Sequence, residues 1–153
     1  MAAMRIRPAR TPDAAAICEL INHYAERNLM LHRSLEDVYD MLREFHVAED
    51  DGEVIGCVAV DVFWGDLAEV KSLAVAADRQ GQGIGSRLVA TAIEDARRIG
   101  VGKLFALTYR KDFFARRGFD VIDRNTLPEK VWRECIACPK ADACDEIAMM
   151  KFL

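Results

Sequence analysis

The sequence lacks a long apolar run. No stretch of its 153 residues approaches the roughly 18 to 20 apolar residues that cross a bilayer, although 52% of the residues are hydrophobic. The segment from Met1 to Arg7 also lacks the apolar core of a signal peptide. We therefore expect a cytoplasmic protein with no membrane partner, folded as a single domain over residues 1–153, a length that suffices to bury a core.

Clustered basic residues are also missing. The formal net charge is −4, and no run of Lys and Arg occurs along the chain. Binding to a phosphate backbone requires such clusters, so nucleic acid is excluded as the main partner. An anionic ligand would have to be bound by a few cations placed locally.

Cysteine is scarce, and the five cysteines are an odd number. Without an export signal a disulfide framework is not expected, and Cys18 and Cys57 lie on apolar patterns that fit core positions. The remaining three are Cys135, Cys138 and Cys144. Structural zinc normally takes four ligands, so the sequence favours reduced thiols over a metal here. A fourth ligand is left open, and the candidates are His23, His32 and His46.

Hydrophobic periodicity predicts an α/β fold. The predicted strands are 5–9, 46–49, 54–63, 69–75, 103–108, 119–123 and 147–152. An antiparallel hairpin in the first half is followed by a β-α-β crossover in the second half. This order predicts a mixed, mostly antiparallel central sheet flanked by helices on both faces.

Helix-start signals occur twice before the hairpin. Thr11 supplies a capping hydroxyl, followed by a proline and by Asp13 in the first turn. Ser34 starts a second helix, whose predicted apolar stripe is Val38, Met41, Leu42 and Phe45. A long amphipathic helix then follows residues 80–85 and ends at Gly100, and a short helix covers 112–117.

The glycine-rich segment 80–86 lies between a strand and the long helix. Backbone amides and the helix dipole favour an anion such as phosphate at this position. A flexible turn is the simpler alternative. A Rossmann loop is disfavoured because a hairpin precedes it and no acidic strand end follows about 20 residues later. A P-loop is excluded because the Gly-Lys-Ser/Thr motif is missing.

The residues around this segment carry a family resemblance. Glu69 to Val75, a short turn and Gln80-x-x-Gly83-x-Gly85 at a helix start resemble the acetyl-CoA signature of the GNAT superfamily of N-acyltransferases. Segments 103–108 and 113–119 resemble the following strand and short helix of that superfamily. The resemblance implies a GNAT-like fold and an acetyl-CoA-dependent N-acetyltransferase.

The resemblance also implies how acetyl-CoA would bind. The loop amides would bind the CoA pyrophosphate, and the strand before the loop would pair with the pantetheine arm. The implied cofactor residues are Leu73, Ala74, Val75, Gln80, Gly81, Gln82, Gly83, Gly85, Ser86 and Phe114.

Amide formation requires a base, because an amine must lose a proton before it attacks a thioester. Glu69 occupies the position of the general base in many GNAT enzymes, and a surface carboxylate is the alternative. The tyrosine that usually protonates the departing thiolate is replaced by Phe114. Either the thiolate leaves unaided or Tyr109 substitutes, although a buried tyrosine with a satisfied hydroxyl also fits Tyr109.

Within the superfamily the chain is similar to the short, single-domain N-acetylglutamate synthase family. The shared segments are 31–34, 45–49, 103–108, 113–119 and 127–129. The resemblance implies L-glutamate as the acceptor, in arginine biosynthesis, with Arg33 binding a substrate carboxylate and Lys71 joining it. Solvated surface charge, another small amine or amino acid as substrate, and a non-catalytic acetyl-CoA sensor stay open, as does a homodimer.

Overall fold

The computed structural model describes residues 4–128 and 146–153. Within these ranges the strands are β1 (Arg5–Pro8), β2 (Phe45–Asp50), β3 (Glu53–Trp64), β4 (Leu67–Val75), β5 (Lys103–Thr108), β6 (Asp120–Val121) and β7 (Ile147–Phe152). The α-helices of the same ranges are α1 (Ala14–Ala25), α2 (Leu35–Asp40), α3 (Ile84–Ile99) and α4 (Lys111–Ala115).

The described strands form one sheet in the order β1-β2-β3-β4-β5-β7-β6. Neighbouring strands in it are antiparallel except for β4 and β5, which are parallel and joined through α3. The parallel pair needs a crossover, and the 16-residue helix α3 supplies it. The predicted mixed, mostly antiparallel sheet is therefore confirmed.

Strand β3 shows how both faces of the sheet are covered. Val58 and Val60 pack into a core with α3 and with Phe114 of α4. Cys57 and Ala59 point to the opposite face, where they pack against α1 and α2. Because successive side chains of a strand alternate between faces, β3 is apolar on both sides, and helices flank both faces as expected.

The first helix begins later than its sequence signals predict. Residues Thr11–Asp13 form a 3-10 turn, and α1 starts at Ala14. Asp13, not the predicted Thr11, supplies the side-chain acceptor, because its carboxylate accepts a 2.7 Å bond from the amide of Arg10. The same carboxylate accepts hydrogen bonds from both terminal nitrogens of Arg7, at 2.7 and 3.0 Å. An ion pair between β1 and the turn before α1 thus fixes the entry to the helix.

The second helix starts as predicted but is shorter. Ser34 Oγ accepts from the amide of Asp37 at 3.0 Å, and Asp37 accepts from the amide of Ser34 at 2.9 Å, which completes a capping box. The stripe predicted to continue to Phe45 was wrong at its end. Phe45 is the first residue of β2, where it pairs with Ala59 and is only 1% exposed.

The strand predicted over residues 119–123 is reduced to Asp120–Val121. Phe119 is instead 2% exposed and packs edge-on against Phe114, with ring centroids 5.2 Å apart. The amide of Phe119 donates to the carbonyl of Phe114 at 3.2 Å, so this residue closes the turn after α4 and does not join the ladder. No helix of the described residues is long and apolar enough to cross a membrane.

The Arg7–Asp13 pair predicts a pH-dependent stability. The guanidinium of Arg7 lowers the pKa of the Asp13 carboxyl from its ordinary value of 3.8. Because this pKa is depressed in the folded state, its stabilisation is present at neutral pH and lost as the pH falls through the folded pKa. We expect Asp13→Asn to lower the free energy of unfolding by about 1.5 to 3 kcal/mol at pH 7.

Urea titrations between pH 7 and pH 3 would measure this difference. The gap between the unaltered protein and Asp13→Asn should narrow on the acid side. The exposed Asp120→Asn is the control, with an expected change below about 0.5 kcal/mol at any of these pH values. A gap that is the same at both ends of the range would contradict the assignment.

Candidate active site

The glycine loop places a helix N-terminus at an open surface. Gly83 caps α3 with φ of 79°, a left-handed conformation that a residue with a side chain rarely adopts. Gly81, Gln82 and Gly83 are exposed, and no described atom lies within 4 Å of a Cβ placed on Gly83. The amides of residues 84–86 open the helix and have no carbonyl one turn earlier to bond. The loop therefore has the geometry that binds an anion through neutral donors.

Strand β4 separates from β5 just before this loop. Their parallel ladder runs from Leu67 opposite Lys103 to Glu69 opposite Phe105. Beyond Glu69, β4 continues to Val75 along β3, without a recorded ladder pair to β5. The described sheet therefore opens along the last part of β4.

A bulge in β4 accompanies the opening. The register with β3 shifts between Cys57 and Ala59, and Ser72 on the opposite strand has φ of 54°. The extra residue re-aims the end of the strand. Ser72 is 9% exposed, and its carbonyl accepts a bond from the Cys57 thiol at 3.3 Å.

The carbonyl of Val75 ties three elements together at the opening. It accepts the hydroxyl of Tyr24 from α1 and the side-chain amide of Gln80 from the loop, the latter at 3.1 Å. Gln80 Nε2 also donates to the Tyr24 hydroxyl at 2.7 Å. Tyr24 follows Ile17 and Ile21 at helical spacing, and this pattern predicts only a packing role for it. The missed signal is its hydroxyl, which needs a partner where the ring is partly buried.

Glu69 and Lys71 share one face of the sheet. They lie opposite Asp61 and Ala59 of β3, and Ala59 packs in the core beneath α1 and α2. Because cross-strand partners point to the same face, both charged side chains lie on the α1 and α2 side. Glu69 is only 8% exposed. The solvent-exposed carboxylate that was its alternative interpretation does not fit this burial.

Asp61 is a residue that the sequence analysis missed. Its carboxylate forms an ion pair with Lys71, in which Nζ lies 2.7 Å from Oδ2. The ammonium of Lys71 is therefore already engaged, and a substrate carboxylate would share it with Asp61. The pair depends on the β3–β4 register, which residue spacing alone does not give.

Arg33 lies where the connection from α1 enters α2, directly before the capping Ser34. It is 9% exposed, so it is not the solvated surface charge that was the alternative. Its backbone amide and carbonyl are both bonded to Asn22 of α1. Helix α1 packs on β3 and on β4, and β4 is the strand that carries both Glu69 and Lys71.

Phe114 and Tyr109 occupy different environments. Phe114 is 5% exposed and packs against Phe113 and Phe119 with ring centroids 5.2 Å from each. It is a core residue, and its predicted contact with a cofactor stays a prediction. Tyr109 follows β5 directly and is half-buried rather than buried. Its assignment as a substitute acid also stays a prediction.

The cysteines that the structure describes are not in a metal site. Among residues 4–128 and 146–153 no group of three His, Cys, Asp or Glu side chains could hold a metal ion. Burial raises the pKa of the Cys57 thiol to about 12, so it stays protonated. Cys135, Cys138 and Cys144 lie outside the described residues, and the zinc alternative for them stays a prediction.

Comparison with known proteins identifies the family. Residues 14–119 match the model of the acetyltransferase (GNAT) family. An uncharacterised N-acetyltransferase of Chlorobaculum tepidum is 43% identical over 148 residues, which are 97% of this chain and 96% of that protein. The chain therefore belongs to the GNAT family of acetyltransferases, and the family predicted from the loop and its preceding strand is confirmed.

Several relatives carry a more specific name. An amino-acid acetyltransferase of Mycobacterium tuberculosis is 37% identical over 132 residues, 84% of this chain and 75% of that protein. One of Neisseria meningitidis is 40% identical over 126 residues, 81% of this chain but 29% of that protein. Within the GNAT family the chain thus resembles amino-acid acetyltransferases and spans under a third of the longer ones.

Solved structures agree with this grouping. N-acetylglutamate synthase from Neisseria gonorrhoeae, complexed with coenzyme A and N-acetyl-glutamate, superposes with a TM-score of 0.89 and 34% identity. The match covers 100% of this chain and 36% of that one. A Mycobacterium tuberculosis protein in complex with CoA superposes with a TM-score of 0.85 and 32% sequence identity. That match covers 97% of this chain and 99% of that one.

Proposed function

We propose that the chain transfers the acetyl group of acetyl-CoA to the α-amine of L-glutamate, as an N-acetylglutamate synthase of arginine biosynthesis. Family membership makes it an acetyltransferase, and the relatives support an amino-acid acceptor. The observation that carries the proposal is the face shared by Glu69 and Lys71, beneath the helix that holds Arg33. A carboxylate and two cations suit an acceptor with one amine and two carboxylates.

Acetyl-CoA fits the opening of the sheet. Amides of residues 82–86 would bind the pyrophosphate at the N-terminus of α3, where the dipole favours negative charge. The carbonyl of Val75 already has two donors, Tyr24 and Gln80. The backbone N–H of Val75 points to the same side of the strand as the Val75 carbonyl. It would donate to the pantetheine arm, which would extend the edge of β4 as an added strand does.

Glu69 would act on the amine. The α-amine is largely protonated at neutral pH, so it must lose a proton before its nitrogen can attack the thioester carbonyl. Glu69 would accept that proton, directly or through water. The C–N bond then forms, the nitrogen gives up its second surplus proton to water, the C–S bond breaks, and CoA leaves as a thiolate. Lys71 and Arg33 would each hold a carboxylate of the acceptor.

Replacement of Gly83 tests the loop. A Cβ at this position meets no described atom but would project into the surface that the pyrophosphate approaches. We expect Gly83→Val to weaken acetyl-CoA binding by about tenfold or more, measured by calorimetry, because the backbone can no longer approach the anion.

Gly52 provides a matched control for that variant. It has φ of 80°, likewise no described atom within 4 Å of an added Cβ, and it lies in the β2–β3 turn. Gly52→Val should carry a similar backbone strain, of about 1 to 2 kcal/mol, yet leave acetyl-CoA affinity unchanged. Equal affinities of the two variants would remove the loop from the cofactor site.

Replacement of Glu69 tests the base. We expect Glu69→Gln to lower kcat by roughly 10²- to 10⁴-fold, with partial recovery at high pH, where more of the amine is already neutral. Asp120→Asn is the control, because it removes an exposed carboxylate on the edge strand β6 and should leave kcat unchanged. Full activity of Glu69→Gln at pH 7 would assign the proton transfer to another group.

Replacement of Arg33 tests the acceptor. Arg33→Lys keeps the charge but loses the planar fork, so kcat/KM for glutamate should fall by about one to two decades while the KM of acetyl-CoA is unchanged. Thiol release from acetyl-CoA measures both. Glutamine should be a poorer acceptor than glutamate, because it lacks the second carboxylate.

Arg27→Lys is the control in the same connection. Arg27 is exposed and bonds the carbonyl of His23, so its replacement should leave both constants unchanged. If glutamate releases no more thiol than background, or if glutamine reacts equally well, the glutamate assignment fails. A panel of other amino acids and amines would then identify the acceptor, since the family assignment does not depend on Arg33.

A further inference from the structure

Asn22 makes a paired contact with the backbone of one residue in the connection from α1 to α2. Its Nδ2 donates to the carbonyl of Arg33 at 2.7 Å, and its Oδ1 accepts from the amide of Arg33 at 2.9 Å. The side-chain amide of Asn22 thereby bonds both the N–H and the C=O of Arg33, as a neighbouring strand would do in a sheet. Reversing the amide would set donor against donor and acceptor against acceptor, so this orientation is the one that satisfies both bonds.

Two further contacts hold the same point. The thiol of Cys18, one helical turn before Asn22, donates to the Arg33 carbonyl at 3.4 Å and accepts from Asn22 Nδ2 at 3.3 Å. On the other side, Ser34 is fixed by its capping box with Asp37. The backbone of Arg33 is therefore anchored to α1 and to α2 at once.

This anchoring contrasts with the rest of the connection. Residues 26–29 are exposed, whereas Arg33 is 9% exposed. A guanidinium is costly to bury unless its charge is matched, so its position has to be closely defined, and a fixed backbone defines it. Asn22 is also a poor residue for a helix interior unless its side chain has a specific partner.

We infer that Asn22 is a positioning residue of the acceptor site, which fixes the Arg33 backbone so that the guanidinium is presented to the substrate carboxylate. The inference rests on the proposed function for the role of Arg33. Asn22 acts through Arg33 and does not touch the substrate itself. Its loss should therefore act on the acceptor and not on acetyl-CoA.

The test has a kinetic arm and a structural arm. Asn22→Ala removes both bonds to the Arg33 backbone, and we expect the KM for glutamate to rise about tenfold with the KM of acetyl-CoA unchanged, because a misplaced contact weakens binding of that substrate alone. In an Arg33→Lys background the same replacement should change the KM by less than about twofold, since the fork that Asn22 positions is already gone. Glu19→Ala, at an exposed position of the same helix, is the control and should leave both KM values unchanged.

Hydrogen exchange of the unaltered full chain and of Asn22→Ala supplies the structural arm. The Arg33 amide should be protected in the first and exchange at least about tenfold faster in the second, since its acceptor is lost. An unchanged exchange rate of the Arg33 amide would overturn the clamp, by which we mean the two hydrogen bonds from Asn22 to the Arg33 backbone. If Asn22→Ala raises the KM for glutamate by the same factor in the unaltered and the Arg33→Lys chains, Asn22 has only a general structural role. The same conclusion follows if acetyl-CoA affinity falls as much as glutamate affinity.

The outcomes separate this inference from the proposed function. If the unaltered chain does not acetylate glutamate, the proposed function fails, and with it the role of Asn22 in glutamate binding, while the exchange data still decide whether the clamp exists. If glutamate is acetylated but Asn22→Ala has the KM of the unaltered chain, the proposed function stands and the positioning role of Asn22 is refuted.

Discussion

The divergence of β4 from β5 after Glu69 is the constraint on which the rest of the proposed site depends. A continuous ladder would bury the edge of β4 in backbone hydrogen bonds and leave no strand for a ligand to extend. The bulge at Ser72 accompanies the divergence, with a left-handed conformation that costs a non-glycine residue roughly 1 to 2 kcal/mol. Strain of this kind persists where the surrounding structure fixes it, and here β3 and the Cys57 thiol do so.

Charge imposes a second constraint on the proposed reaction, because an acidic chain would have to bind two anionic molecules. A formal charge of −4 gives no long-range attraction for acetyl-CoA or for glutamate. Binding would therefore depend on groups that act at short range. The loop offers neutral amides at a helix N-terminus, which need no counter-charge. The two cations are held individually, Lys71 by Asp61 and Arg33 through its backbone. Each positive charge is thus placed by one specific contact and not by a basic surface.

Local sequence signals predicted the parts of the structure that local bonds determine. The capping box at Ser34 joins residues three apart, and the glycine loop is defined by conformations inside one turn, so both were readable in the chain. The failures involve partners on other elements. Asp13 was missed as the acceptor before the first helix because Arg7 of β1 holds its carboxylate, and Phe45 leaves its predicted stripe because it pairs with Ala59 of β3. The contacts of Asp61 and Asn22 likewise depend on tertiary packing.

Proton chemistry would allow the proposed mechanism to work with Phe114 at the position where the family resemblance implies a tyrosine. A thiol has an ordinary pKa near 8.5, so a thiolate is a tolerable leaving group at neutral pH and gains only modestly from a protein acid. The ammonium of the acceptor is different, because it cannot attack until it has lost its proton. The side chain at position 114 is thereby released for packing, and it fills the core between Phe113 and Phe119. In the proposed mechanism the buried carboxylate of Glu69 would take the proton of the amine, and the thiolate would need no protein acid at position 114, so the two residues would match the unequal demands of the two proton transfers.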